Sequence, residues 1–263
     1  MITFDFDKLT QRRGTNSYKW DSATDRDVLP LWVADMDFET APCIVEALQK
    51  RVAHGIFGYT RVPDAYYEAV VNWFGNQHEW HFAKEWILYT SGVVPALSAI
   101  IKALTEPGDE VIVQGPVYNC FFSSIRNNGC KMVSNSLVCR DHTYVMDFDD
   151  LERKAASPRA KLLLLCNPHN PTGRVWTREE LLRLGHICMK HHVWVVADEI
   201  HCEFAFGGHT YVPYGSLSEE LMHHAIICNS PSKAFNTAGL QIANIICDNA
   251  EVRQRIDRAI NIN

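Results

Sequence analysis

Lys161 to Cys166 reads Lys-Leu-Leu-Leu-Leu-Cys, a predicted strand whose apolar run leaves neither face free to meet water. Similar runs lie at 193–197, at 225–229 and at 242–247. Strands that are apolar on both faces belong inside a mainly parallel sheet covered by helices on each side. The segments between these runs fit that arrangement. Thr177-Arg-Glu-Glu180 forms a capping box that opens a helix predicted to reach residue 192. Other helices are predicted at 64–77, 94–104, 118–127 and 149–156, with a last one from 249. Further strands are predicted at 86–90, 110–114 and 131–135. The first 37 residues show little helical period and read as an extended arm. Thr40 is expected to cap a helix that has Pro42 in its first turn and stops at Gly55.

In such sheets ligands bind beyond the carboxyl ends of the strands. Five groups of residues are predicted to meet there: Ser91-Gly92, Gly115-Pro116, 167–173, Asp198 and 230–233. Lys233 lies in Ser-Pro-Ser-Lys-Ala-Phe-Asn-Thr-Ala-Gly-Leu, with no charged neighbour inside that stretch. Apolar surroundings favour a neutral amine, the form that makes a Schiff base, although a Ser-x-Ser-Lys loop is also an ordinary turn. Ser230 and Ser232 offer hydroxyl donors for a phosphate. Asp198 closes an apolar strand, where a carboxylate can bind a metal, cap a helix or hold a cofactor cation. Glu199, His201 and Glu203 follow it but alternate across an extended chain, and no second ligand pair supports them, so no metal is expected. Asn167-Pro-His-Asn170-Pro-Thr-Gly173 packs two Asn-Pro steps before a glycine, which demands a tight turn, with cis peptides expected. Ser91-Gly92-Val93-Val94 opens a helix, whose first N–H groups bind phosphate without a lysine. Tyr118 follows Gly115-Pro116 as a packing residue or a stacking platform.

Composition narrows the partners. Across 263 residues the net charge is −6, with no long basic run, so nucleic acid and anionic membranes are poor candidates. No apolar run approaches a membrane span, and the acidic start lacks a signal-peptide pattern. Nine cysteines, none spaced Cys-x-x-Cys, several of them in strand-like runs, suit a reduced cytosol.

The combination resembles fold-type I pyridoxal-phosphate enzymes. Asp198 stands 28 residues after Asn170, and Lys233 stands 35 after Asp198. The chain is most similar to the PatB/MalY-type C–S lyases of the aminotransferase class I/II superfamily. That likeness rests on Lys19-Trp-Asp21, Leu31-Trp-Val-Ala-Asp-Met-Asp-Phe38, His54-Gly-Ile-Phe-Gly-Tyr-Thr60, Gln114-Gly-Pro-Val-Tyr118, Cys166-Asn-Pro-His-Asn-Pro-Thr-Gly173, Asp198-Glu-Ile-His201 and Pro231-Ser-Lys-Ala-Phe-Asn236.

The resemblance implies an α/β fold of mainly parallel sheet with helices on both faces, and pyridoxal 5'-phosphate as cofactor. It implies that Lys233 bonds the cofactor and shuttles protons, and that Asp198 pairs with the ring nitrogen. Asn170 would hydrogen-bond the phenolic oxygen with His201 nearby, and Tyr118 would stack on the ring. Gly92, Val93, Val94 and Ser230 would hold the phosphate. Tyr59 would reach the phosphate of a partner subunit, giving a cytoplasmic homodimer with shared sites. The implied activity is α,β-elimination on an amino-acid thioether, L-cystathionine or a related cysteine S-conjugate, releasing thiol, pyruvate and ammonia. The alternatives are an aminotransferase on the same cofactor and a regulatory protein that docks partners with the same fold. Where aminotransferases carry a phosphate-clamping arginine eight residues after the lysine, this chain has Gln241, which favours the lyase branch. Ala234 replaces a threonine common in that branch. Residues 1–40 are expected to be an arm belonging to the small domain, and 41–263 the large cofactor domain. The C-terminal small domain, with its carboxylate-binding arginine, is expected to be missing from this chain.

Overall fold

The computed structural model describes residues 5–260. The chain divides into two compact units, Met1–Arg61 with Pro231–Gln241, and Val62–Ser230 with Ile242–Asn263.

Among its described residues the first unit carries two α-helices, α1 (Tyr18–Asp21) and α2 (Pro42–His54). Pro42 occupies the first turn of α2, and Gly55 closes it in the left-handed region at φ 72°. Thr40 does not cap it. The N-cap is Ala41, without a side-chain bond, because the Thr40 hydroxyl donates to the carbonyl of Phe235 at 2.6 Å. The arm is not a plain extended strand, for it folds around a polar knot. Arg12 donates to Asp35 at 2.5 Å and to Asp37 at 2.7 Å, Lys19 to Asp37 at 2.9 Å, and the Trp20 indole to Asp37 at 2.7 Å. Lys19 is buried there, with a second bond to the Asp35 carbonyl at 3.0 Å. Burial alone would raise the Asp37 carboxyl, but the Trp20 and Lys19 hydrogen bonds and the charges of Lys19 and Arg12 hold it below the usual carboxylate range. Leu31, Trp32, Ile56, Phe57 and Tyr59 are exposed, and α2 buries no residue.

The second unit begins with α3 (Asp64–His78) and continues as β1 (Ile87–Thr90), α4 (Val93–Leu104), β2 (Glu110–Val113), α5 (Cys120–Asn127) and β3 (Lys131–Ser134). Next come a hairpin of β4 (Val138–Arg140) and β5 (Thr143–Val145), then α6 (Phe148–Ala155), β6 (Ala160–Cys166), α7 (Arg178–Lys190) and β7 (Trp194–Asp198). The unit closes with α8 (Glu219–His223), β8 (Ala225–Asn229), β9 (Ala243–Ile246) and α9 (Ala250–Ile260). Seven strands form one sheet in the order β1-β9-β8-β7-β6-β2-β3. All pairings are parallel except those of β9, which runs against both β1 and β8.

The apolar run of β6 buries both of its faces. Leu163 and Leu165 enter one core with Leu151, Trp176, Leu181 and Leu184. Leu162 and Leu164 enter the opposite core with Leu97, Ile100, Phe121 and Ile256. Each such leucine, fully buried, contributes about 1.5–3 kcal/mol. The capping box at Thr177 and Glu180 is present, although α7 ends at Lys190 rather than 192. Tyr118 stands before α5 rather than inside it. The β4–β5 hairpin and α8 were not foreseen. The hairpin strands are short and half exposed, so no apolar period marks them.

Because β9 is reversed, the chain leaves the sheet at Ser230 and re-enters beside the point of departure, with Asn229 paired to Asn244. The Ser230 hydroxyl donates to the Ile242 carbonyl at 2.5 Å and closes the base of this excursion.

Candidate active site

Parallel strands share one carboxyl edge, so the residues after β1, β2, β6, β7 and β8 gather on one side of the second unit. Asp198 ends β7 at the middle of that edge, 3 % exposed, paired with Cys166 of β6 on one side and Cys228 of β8 on the other. Its Oδ1 accepts the Ile200 N–H at 3.2 Å, which turns the chain after the strand. The charge of Asp198 reaches both the Tyr118 hydroxyl and the Cys166 thiol. Burial, then hydrogen bonding and charge from Cys120, then the Asp198 charge raise Tyr118 well above its ordinary value.

The turn after β6 holds Asn170. Asn167–Pro168 and Asn170–Pro171 are cis, as is Gly115–Pro116 after β2. The Asn170 N–H meets the Cys166 sulfur at 3.2 Å, and the His169 N–H meets the Arg174 carbonyl at 2.8 Å. His169 is 2 % exposed, and its Nε2 lies 2.8 Å from the Pro116 carbonyl oxygen. A carbonyl can only accept, so Nε2 carries a proton. Burial holds its pKa below the ordinary value. Trp176 lies edge-on to it.

Behind the turn sits Glu199, wholly buried. Its carboxylate accepts from Asn167 Nδ2 at 2.9 Å, from the Tyr214 N–H at 2.9 Å and from the Tyr211 hydroxyl. Burial pushes this carboxyl up to about 7 against those bonds, and the neighbouring Asp198 charge adds to the rise. Glu199 therefore faces inward, away from any shared ligand set with His201. Glu203 faces elsewhere again, accepting from Trp73 at 2.7 Å and contacting His78 Nε2 at 2.9 Å. Among the described residues, His78, Cys202 and Glu203 are the one group close enough to share an ion. Those hydrogen bonds already occupy the Glu203 oxygen that faces the group.

α4 begins at Gly92 with no side-chain cap, so the N–H groups of Val93 and Val94 head a twelve-residue helix without a capping acceptor. Ser230 is buried at the end of β8. Its hydroxyl donates to the Ile242 carbonyl at 2.5 Å. A buried hydroxyl takes the nearest carbonyl, and the reversed β9 supplies one. His201 stands in the turn after β7, with Phe204 edge-on to its ring. Lys233, Ser232 and Tyr59 belong to the first unit, where Lys233 is partly buried and Tyr59 fully exposed.

The donor set of the second unit fits pyridoxal phosphate. A buried carboxylate suits a ring cation, an aromatic face stands within its electrostatic reach, and a bare helix terminus suits a phosphate. Sequence reasoning passed over His169 and Glu199 as supports of this edge. A carboxylate following Asp198 directly after an apolar strand was the available signal for Glu199.

Comparison with known proteins gives the same direction. A family model described as aminotransferase class I and II matches residues 26–262. Cystathionine beta-lyase PatB of Bacillus subtilis (strain 168) is 45% identical over 262 residues, covering 98% of this chain and 68% of that protein. Protein MalY of Escherichia coli (strain K12) is 36% identical over 255 residues, covering 95% and 65%. The crystal structure of cystalysin from Treponema denticola, which contains a pyridoxal 5'-phosphate cofactor, superposes with a TM-score of 0.94 at 35% identity, covering 98% of this chain and 67% of that one. The chain thus spans about two thirds of the length of these relatives.

Proposed function

The chain belongs to the aminotransferase class I and II family, and from that premise we propose that it is a pyridoxal-phosphate-dependent carbon–sulfur β-lyase. Its substrate would be L-cystathionine or a related cysteine S-conjugate, split to a thiol, pyruvate and ammonia. One observation carries the reading: the buried Asp198 carboxylate ends β7 within electrostatic reach of Tyr118. The choice of lyase over aminotransferase is supported by the 45% identity to a cystathionine beta-lyase and by Gln241 in place of an arginine.

Pyridoxal phosphate, when bound, supplies an electron sink for the pair left when the Cα–H bond of an amino acid breaks. Asp198 would hold the positive charge of the ring nitrogen. The first N–H groups of α4, from Gly92, Val93 and Val94, would bind the phosphate, with Ser230 and Ser232 beside it. Tyr118 would lie against the ring, with Asn170 and His201 at its phenolic oxygen. Lys233 would bond the group, and its amine would serve as the positioned base that takes the Cα proton of the substrate.

Tyr59 would serve the phosphate of a partner subunit, giving a homodimer. Its full exposure beside exposed Ile56 and Phe57 supports that surface. Residues 1–40 would join the small domain and 41–263 would form the large one. Nine free thiols suit a reducing cytosol, and no described helix is long and apolar enough to cross a membrane.

The test is pyruvate release from L-cystathionine by the purified protein with pyridoxal phosphate and no keto acid. Continuous turnover is expected, with Lys233→Ala abolishing it. A single half-reaction that then stalls identifies an aminotransferase.

A further inference from the structure

Asn236 is bound on both sides to the arm of its own unit. Its Oδ1 accepts the Met36 N–H at 3.0 Å, while its Nδ2 donates to the Met36 carbonyl at 3.1 Å and to the Phe38 carbonyl at 2.9 Å. An oxygen on an N–H and a nitrogen on two carbonyls leave only one sense for the amide. The backbone at 236 has φ 52°, in the left-handed region that asparagine tolerates better than most residues. One residue earlier, the Phe235 carbonyl takes the Thr40 hydroxyl at 2.6 Å. The Met36 carbonyl also takes Arg12 at 2.7 Å, and that guanidinium is fixed by Asp35 and Asp37. The segment itself is tightly turned, for the Phe235 N–H reaches the Pro231 carbonyl and the Thr237 N–H the Ser232 carbonyl, each at 3.0 Å. Lys233 lies inside both turns, three residues before the clamp.

We infer that Asn236 is a positioning residue for Lys233: it ties the lysine-bearing turns to residues 36–38, so that the amine starts from a fixed Cα. The inference rests on the reading of Lys233 as the amine that bonds the cofactor. A long lysine stem has many rotamers, and delivery of its tip to one atom depends on how firmly its base is held.

The experiment follows covalent capture of pyridoxal phosphate by the protein. Capture is read as the rate and pH midpoint of the visible absorbance, and as borohydride fixation located on Lys233 by peptide mass. Total cofactor bound and the thermal midpoint are recorded alongside. Asn236→Gly keeps the left-handed backbone accessible and removes all three side-chain bonds. Asn236→Asp keeps the acceptor for Met36 and loses both donors, and Thr40→Val removes only the Phe235 contact. Asn236→Gly is expected to slow capture by about tenfold and to move the pH midpoint, about what losing one net hydrogen bond of ordering would cause. Asn236→Asp and Thr40→Val should give smaller changes in the same direction. A glycine variant that captures at the parent rate with the parent midpoint overturns the inference while leaving Lys233 in its role. A parent protein that fixes no pyridoxal phosphate on Lys233 overturns both readings. Should the glycine variant fail to fold, unchanged capture by both Asn236→Asp and Thr40→Val overturns the inference.

Discussion

His169 donates from Nε2 to the carbonyl oxygen of Pro116 at 2.8 Å, joining the turn after β6 to the turn after β2. One turn carries Asn170 and the other leads to Tyr118, so a single neutral imidazole spaces two residues of the candidate site. His169→Phe should leave the Pro116 carbonyl buried without a donor and cost about 1–3 kcal/mol, read by urea unfolding at pH 7.5. The pH dependence has a definite sign. The folded-state pKa lies below the ordinary 6.5, so the unfolded chain takes up a proton that the native ring refuses. Stability should therefore fall as pH drops below 6.5 through the folded value, and His169→Phe should lose that slope.

Glu199 carries the opposite dependence. Its carboxyl sits at about 7 when folded, against 4.5 for the free group, so the native state keeps a proton that the unfolded chain releases. The contribution is full below about 4.5 and is lost as pH rises through about 7, a swing of about 3 kcal/mol. Glu199→Gln should flatten this slope while keeping an acceptor for Asn167 and for the Tyr214 N–H. Unfolding free energies of the two proteins between pH 4.5 and 8 decide it, and parallel curves would sink the assignment.

Gly215 and Gly185 leave no room for a methyl group. A Cβ at 215 would run into the Trp80 ring, and one at 185 would lie 2.6 Å from the Tyr214 hydroxyl and 3.0 Å from Leu221. Gly215→Ala and Gly185→Ala are each expected to lower stability by about 1–3 kcal/mol through overpacking. Thermal midpoints unchanged within error would contradict this packing.

The polar knot of the arm should respond to acid. The Asp37 carboxyl is held low, so its contribution is present above the unfolded carboxylate pKa and is lost as pH falls through the folded one. Lys19→Met removes one of its donors and should bring that loss to higher pH. Trp20, whose indole bonds Asp37, reports the change through its fluorescence.

The central strands β6, β7 and β8 were legible because both faces of each are buried, which leaves continuous apolar runs. The stretch 225–229 coincides with β8 residue for residue. The hairpin strand β4, half exposed along its length, leaves no such trace. Thr40 misled for a related reason. A hydroxyl before a helix reads as a cap, but a carbonyl 195 residues away in the chain competes for it, and sequence does not display that competitor. The candidate site was legible as motifs at strand ends. Its supports were not, since His169, Glu199 and Asn236 act through partners brought close only by folding.

The reversed strand β9 has a consequence for change over time. Since the chain departs at Ser230 and returns at Ile242 with a hydrogen bond across the gap, the intervening stretch is an insert with a sealed base. Lengthening such a closed excursion costs little, because the entropy of closure grows only with the logarithm of its length. Residues added between the two ends, outside the turns and the Asn236 clamp around Lys233, leave the register of β8 against β9 unchanged.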